Sequence, residues 1–115
     1  MPYTRADLVN EALMNLGVLS EGEDAQDEDY ARVDNKVDAV VALLRDTDVY
    51  FLADADAVPD NALLPLGHYL AGACAASFGQ QTDQALLNWA QWGREQLLIL
   101  DSEPPHYTPL EVQAY

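Results

Sequence analysis

The chain has 115 residues, half of them apolar, and 20 acidic against five basic side chains give it a formal net charge of −15. This length and composition predict one globular domain with one core and exclude a disordered acidic chain. Because a surface of that sign repels phosphate backbones, the charge argues against direct DNA binding. Three explanations stay open: plain solubility, a basic protein partner, or a wall past which DNA slides without sticking.

The start of the chain and its cysteine content indicate a compartment. The first residues carry an arginine and an amphipathic pattern instead of the basic end and apolar run of a signal peptide. We therefore expect the protein to stay where it is made. Cys74 is the single cysteine, so it cannot form an internal disulfide, and its alanine and glycine neighbours predict a small buried hydrophobe. A reducing cytoplasm suits this residue.

Two helices are predicted in the first half of the chain. Thr4 with Asp7 forms a capping pair before an amphipathic stretch, and Gly17 follows its last apolar residue as a left-handed C-cap. Asp24 is predicted to cap a second helix over residues 25–45, with the next carboxylates near the positive end of the helix dipole. Its apolar residues recur at spacings of three and four: Tyr30, Val33, Val37, Val40, Val41 and Leu44.

Residues 46–60 form the longest connection, predicted to be a partly ordered loop. We expect it to tuck three apolar side chains under the helices: Tyr50, Phe51 and Leu52. Three aspartates follow, spaced as in a calcium-binding loop: Asp54, Asp56 and Asp60. However, Pro59 stands where such a loop needs its glycine, and no glutamate closes the twelve-residue pattern. The sequence therefore predicts no metal site here.

Residues 61–82 run without a charged side chain, and about 20 apolar residues suffice to cross a bilayer. Polar residues within this stretch, its many alanines and glycines, and an aspartate on each flank argue against a membrane span. We predict the central helix of a bundle, beginning near Leu63, tolerating Pro65 in its first turn and ending at Gly79. Four small residues would let other helices approach closely: Gly72, Ala73, Ala75 and Ala76.

The fourth helix is predicted to be capped by Thr82 and to carry more apolar residues than one buried stripe requires. One side carries Leu86, Trp89, Ala90, Leu97 and Leu100, and Leu87, Trp92 and Leu98 widen the apolar surface. We expect most of them to share the core. Those left exposed would mark an interface with another subunit, and Trp89 and Trp92 are the candidates for it.

The chain changes character after Asp101. Residues 102–115 contain three prolines and no helical period, so the predicted organisation is a helical domain over residues 1–101 followed by an extended tail. Two interpretations stay open, a frayed end and a docking peptide. The near-alternating apolar residues favour docking, to a partner or to another subunit, through Tyr107, Leu110, Val112 and Tyr115.

No catalytic constellation has adequate spacing. His68 lies in the apolar third helix, where a hydrogen-bonded core residue is expected rather than a ligand, and His106 lies in the tail. The chain has no HExxH, no glycine-rich phosphate loop and no GxSxG motif. We therefore expect no enzyme, no cofactor and no metal.

The order of these segments resembles a known family. "ADLVNEALMNLGVLSEGEDAQDEDYARVDNKVDAVVALL" is a helix ending in LGV, an acidic linker and a long helix, and "VPDNALLPLGHYLAGACAASFG" follows it. The chain resembles the head-to-tail adaptors of tailed bacteriophages, in particular the podovirus tail accessory factors, also called head completion or packaged-DNA stabilisation proteins. The likeness covers residues 4–101, with the Leu16-Gly17-Val18 turn and the helix from Pro65 to Gly79 as its recognisable parts.

The resemblance implies a structural connector in the virion, made in the host cytoplasm, with no catalytic residues. Such proteins form a ring below the portal protein, extend the DNA channel and offer a platform to a tail or nozzle protein. DNA would pass through without specific binding, and no membrane is involved. The segment from Ser102 to Tyr115 would reach along the portal, and a ring needs two different faces on each subunit.

Two other classes of function compete with the connector. An acidic decoy that mimics DNA, or a protein-binding inhibitor module, would present carboxylates spaced like phosphates to a basic enzyme. Against it, the acidic residues cluster at predicted helix starts, where capping already explains them. A small enzyme or regulatory subunit is the third possibility.

Overall fold

The computed structural model describes residues 2–20 and 22–102, and the predicted tail residues from Glu103 onward lie outside the described residues. Within those ranges the chain is all-α, which confirms the predicted four-helix bundle. The helices are α1 (Arg5–Leu16), α2 (Asp27–Asp46), α3 (Leu63–Cys74) and α4 (Gln84–Ser102), and a 3-10 turn, Ala75–Phe78, follows α3. All four helices contribute leucines or valines to one core, and no polar or charged side chain is buried within the described part.

Helix α1 has the predicted ends. The Thr4 side chain accepts a hydrogen bond from the N–H of Asp7 (3.1 Å), and the Asp7 carboxylate accepts one from the N–H of Thr4 (2.9 Å). This reciprocal capping box satisfies two amides that have no partner inside the helix. Gly17 adopts φ 80°, the left-handed conformation that glycine reaches without a steric cost. The sequence prediction is confirmed at both ends of the helix.

Helix α2 begins later than predicted, and the proposed Asp24 cap is wrong. The N-cap is Gln26, which makes no side-chain cap hydrogen bond. Asp24 therefore precedes the cap by two residues, whereas a capping oxygen normally comes from the N-cap residue itself. Three acidic residues do occupy the first turn, near the positive end of the helix dipole: Asp27, Glu28 and Asp29.

The connection between α2 and α3 packs in part as predicted. Tyr50 and Leu52 are buried, but Phe51 is 60% exposed, so its predicted burial is wrong. Tyr50 and Leu52 thus face the core, while Phe51 between them faces solvent. The N–H of Phe51 donates to the Asp101 carboxylate at 3.2 Å, which ties this loop to the end of α4. Further along, Val58 exchanges two backbone hydrogen bonds of 2.8 Å with Tyr3.

Helix α3 is the central helix of the bundle, since it packs against α1, α2 and α4. A Cβ atom at Gly72 would collide with the Cβ of Ala90 on α4, which confirms a predicted close approach. Two other small residues, Ala73 and Ala76, are exposed, so the prediction is wrong for them. None of the helices in the described ranges is both long enough and apolar enough to cross a membrane.

Helix α4 is capped by Asp83 and not by the predicted Thr82. The Asp83 carboxylate accepts a hydrogen bond of 3.2 Å from the N–H of Leu86, the third residue of the helix. The helix begins at Gln84, so Asp83 holds the N-cap position, and Thr82 lies one residue too early to do the same.

Candidate functional site

The most distinctive surface of the bundle lies where the first half of α3 meets α4. The two tryptophans that the sequence predicts for an interface both reach it: Trp89 is 50% exposed and Trp92 is half-buried. They stand three residues apart on α4, so their side chains lie on neighbouring positions of one helix face. Leu64, in the first turn of α3, is 53% exposed. Large apolar side chains from two helices are thus left open to solvent.

An aromatic cluster forms the centre of this surface. The His68 ring stacks on Trp89, with ring centroids 4.7 Å apart and planes 15° from parallel. Trp92 meets both rings edge-on, at 5.6 Å from His68 and 5.4 Å from Trp89. Such edge-to-face and offset contacts each contribute about 0.5–1.5 kcal/mol beyond area burial. The cluster therefore holds the two indole rings in a defined arrangement.

His68 differs from its sequence prediction. It is half-buried in the aromatic cluster instead of being a hydrogen-bonded core residue, and its buried Nδ1 atom has no hydrogen-bond partner within the described part. Burial lowers the pKa of His68 below its ordinary value, because desolvation disfavours the imidazolium form. The neutral ring that stacks on Trp89 is therefore the favoured form at neutral pH.

Two grooves meet at Trp92. One is bounded by Ala85, Asn88, Trp89 and Trp92 along α4. The other follows the junction of α3 and α4 towards the end of α4, and its lining is Asp60, Asn61, Leu64, Pro65, Trp92, Gln96 and Leu100. We call the two grooves with their shared tryptophan the aromatic surface. It is an elongated, mainly apolar strip with one carboxylate at its edge, suited to binding a macromolecular segment.

The other chemistry-bearing groups of the described residues have local roles. Among residues 2–20 and 22–102, no group of three His, Cys, Asp or Glu side chains is placed to hold a metal ion. The Asp54 carboxylate accepts from the N–H of Asp56 (2.9 Å), as an ordinary Asx turn does. Cys74 is buried, and burial raises the pKa of its thiol, which disfavours the reactive thiolate.

A third groove lies beside α1, and its lining includes the carboxylates of Asp7 and Glu23. Both are already engaged by backbone amides: Asp7 by the N–H of Thr4, and Glu23 by the N–H of Ser20 (2.7 Å). These two carboxylates stabilise the local chain.

The acidic surface is only partly neutralised by ion pairs. Arg5 donates from Nε to Asp34 (2.7 Å) and from a terminal nitrogen to Asp38 (2.9 Å), which joins α1 to α2. The two carboxylates raise the pKa of Arg5 above its ordinary value. At helix starts, carboxylates such as Asp83 cap amides. These local roles account for several of the carboxylates that a DNA mimic would need.

Sequence reasoning missed part of the aromatic surface and could not place the tail. Leu64 has the helical register of the buried Gly67 and Ala71, so periodicity alone predicts its burial. Only the arrangement of the neighbouring helices leaves it open. The four predicted docking residues of the tail lie outside the described residues: Tyr107, Leu110, Val112 and Tyr115. No protein family, curated protein or solved structure matches the chain.

Proposed function

We propose that this protein is a structural, non-catalytic subunit that acts as a head-to-tail connector of a tailed bacteriophage. It forms a ring below the portal, extends the DNA channel and supports attachment of the tail. The aromatic surface is the observation that carries the proposal, because it offers a strip of tryptophan and leucine to a neighbouring subunit. The order of helices and the LGV turn, which resemble phage adaptors, support the choice of assembly.

The aromatic surface has the chemistry of a subunit interface. Tryptophan is enriched at the centres of protein interfaces, where it buries a large apolar area at a small cost in side-chain entropy. A ring uses two different faces of each subunit, so this strip would meet another part of the next copy. Trp89, Trp92 and Leu64 are the residues on which the contact would depend.

The charge of the chain supports the channel role. With a net charge of −15, a ring of subunits presents a strongly negative wall. Such a wall repels the phosphate backbone and so leaves DNA free to move through the opening. In this reading Asp and Glu side chains on the helix surfaces act together as a field, and no single carboxylate carries the function.

Size-exclusion chromatography with light scattering tests the proposal, using the full chain alone and mixed with the portal protein from the same genome. We expect a ring-sized complex with the portal. Trp89→Ser should abolish assembly, whereas Leu43→Ser, which changes a similarly exposed apolar residue on α2, should leave it intact. Circular dichroism checks that both variants keep the fold. A wild-type chain that stays monomeric and ignores the portal would overturn the connector.

A further inference from the structure

The groove between α3 and α4 leads directly to the end of the described chain. Leu100 lines the groove, and only Asp101 lies between it and Ser102, the last residue of α4. Residues 103–115 follow immediately in the sequence. Whatever path they take, they begin beside one end of a mainly apolar groove whose other end is Trp92.

The sequence after Ser102 has the chemistry that aromatic grooves bind. It reads "EPPHYTPLEVQAY", with Pro104, Pro105 and Pro109 in its first half. Proline-rich segments favour the extended polyproline II conformation, and they dock in grooves lined by aromatic side chains because little conformational entropy is lost on binding. Trp89 and Trp92 supply the aromatic lining here, and Leu64 adds an apolar wall.

The length of the segment after Ser102 agrees with the length of the groove along α4. From Leu100 back to Trp89, α4 advances by eleven steps of about 1.5 Å each, or about 17 Å along its axis. Residues 104–110 in the polyproline II conformation would span about 22 Å at about 3.1 Å per residue. Glu103 and the first proline can reverse the chain direction, since proline favours turns. A segment of seven residues is therefore long enough to reach from Leu100 to Trp89.

We propose that residues 104–110 of the same chain dock in the α3/α4 groove and cover Trp89 and Trp92 in the isolated subunit. Pro105 and Leu110 supply the apolar contacts, and the indole rings receive them. This docking is a property of the free chain, so it stands or falls separately from the connector proposal. In the connector, the portal and the groove would compete for the tail, and the tail and the next subunit would compete for the aromatic surface.

Tryptophan fluorescence reports on this docking directly, because both tryptophans of the chain lie on the aromatic surface. The experiment compares acrylamide quenching and the emission maximum of the full-length wild type with three full-length variants. The tail variant carries Pro105→Ser and Leu110→Ser. The groove variant is Leu64→Gln, and its matched control is Leu43→Gln, which changes a similarly exposed leucine on α2.

We expect the tail and groove variants to show a red-shifted emission and a quenching constant increased about twofold, since docking would cover indole rings that are otherwise open. Leu43→Gln should match the wild type. A synthetic peptide of residues 103–115, added to the tail variant, should restore protection. Circular dichroism verifies that each variant keeps its helices.

Two results would overturn the proposal. The first is equal quenching of the wild type and the tail variant, because the tail would then not cover the tryptophans. The second is wild-type quenching that rises on dilution, because the covering segment would then come from a second copy. Neither measurement involves the portal, so failure of the docking is distinguishable from failure of the connector.

Discussion

Gly93→Ala tests how closely α3 and α4 pack. Gly93 is buried on α4, and a Cβ atom there would collide with the carbonyl oxygen of Pro65 on α3. It would also lie 3.2 Å from the carbonyl carbon of Pro65 and 3.2 Å from the amide nitrogen of Tyr69. All three are backbone atoms of a helix, so none can rotate away. The helices must separate by roughly 1 Å to restore ordinary contact distances.

Two opposing effects determine how much Gly93→Ala changes the free energy of unfolding. Alanine is favoured over glycine inside a helix by about 1 kcal/mol, which would stabilise the variant. Inserting a methyl group into a packed contact typically costs about 1–3 kcal/mol. Because the obstructing atoms belong to a helix backbone, we expect a cost in the upper part of this range, about 2–3 kcal/mol. We expect the free energy of unfolding to fall by about 1–2 kcal/mol. That loss lowers the melting temperature by roughly 4–12 °C for a domain of this size.

Urea unfolding followed by circular dichroism measures this change through the midpoint and the slope m. Gln91→Ala, an exposed position on the same helix, is the control, and its effect should stay within about 0.5 kcal/mol. If Gly93→Ala proves as stable as the wild type or more so, helix propensity outweighs the clash, and the close approach of α3 and α4 described above is refuted.

Three further outcomes are expected. Gly72→Ala should also destabilise the bundle, and the added change Ala90→Gly should restore stability in thermal melts, because the swap moves the obstructing methyl across the contact. Arg5→Lys should lower the free energy of unfolding by about 1 kcal/mol in urea titrations, since an ammonium group cannot reproduce the two hydrogen bonds of the guanidinium to Asp34. An unchanged urea midpoint would show that this ion pair does not stabilise the fold. The pKa of His68 is lowered in the folded chain, so the unfolded chain binds more protons below about pH 6.5 and stability is lost as pH falls through the folded-state pKa. In His68→Phe this pH-dependent loss of stability should disappear. A urea midpoint that varies with pH as it does in the wild type would contradict the prediction.

The helices were predictable from sequence to within a few residues, and the errors have local causes. Thr4, Asp7 and Gly17 form cap motifs whose partners all lie within the same helix, so reading the sequence finds them. Asp24 and Thr82 have residue types that favour N-caps, but α2 begins after Gln26, which makes no side-chain cap bond, and α4 begins after Asp83, which does. The geometry of the first turn decides between such neighbours, and residue type alone does not.

The candidate site was predictable only in part. The surplus of apolar residues on the fourth helix predicts that some remain exposed, and the two tryptophans were the expected candidates. The involvement of His68 and Leu64 was missed, because both reach the aromatic surface from a different helix. Their helical register predicts burial, but the packing of the neighbouring helices leaves Leu64 exposed and His68 half-buried.

By itself, the sequence determined the four helices, most of their ends, the strongly negative charge and the apolar residues that form the core. These properties depend on residues a few positions apart and on composition, so they need no knowledge of the fold. Only the tertiary structure decided that Phe51 points outward, that Gly93 lies against the backbone of α3 and that His68 stacks on Trp89. Each of these depends on the relative placement of segments distant along the chain, and packing sets that placement through the shapes of all the helices together.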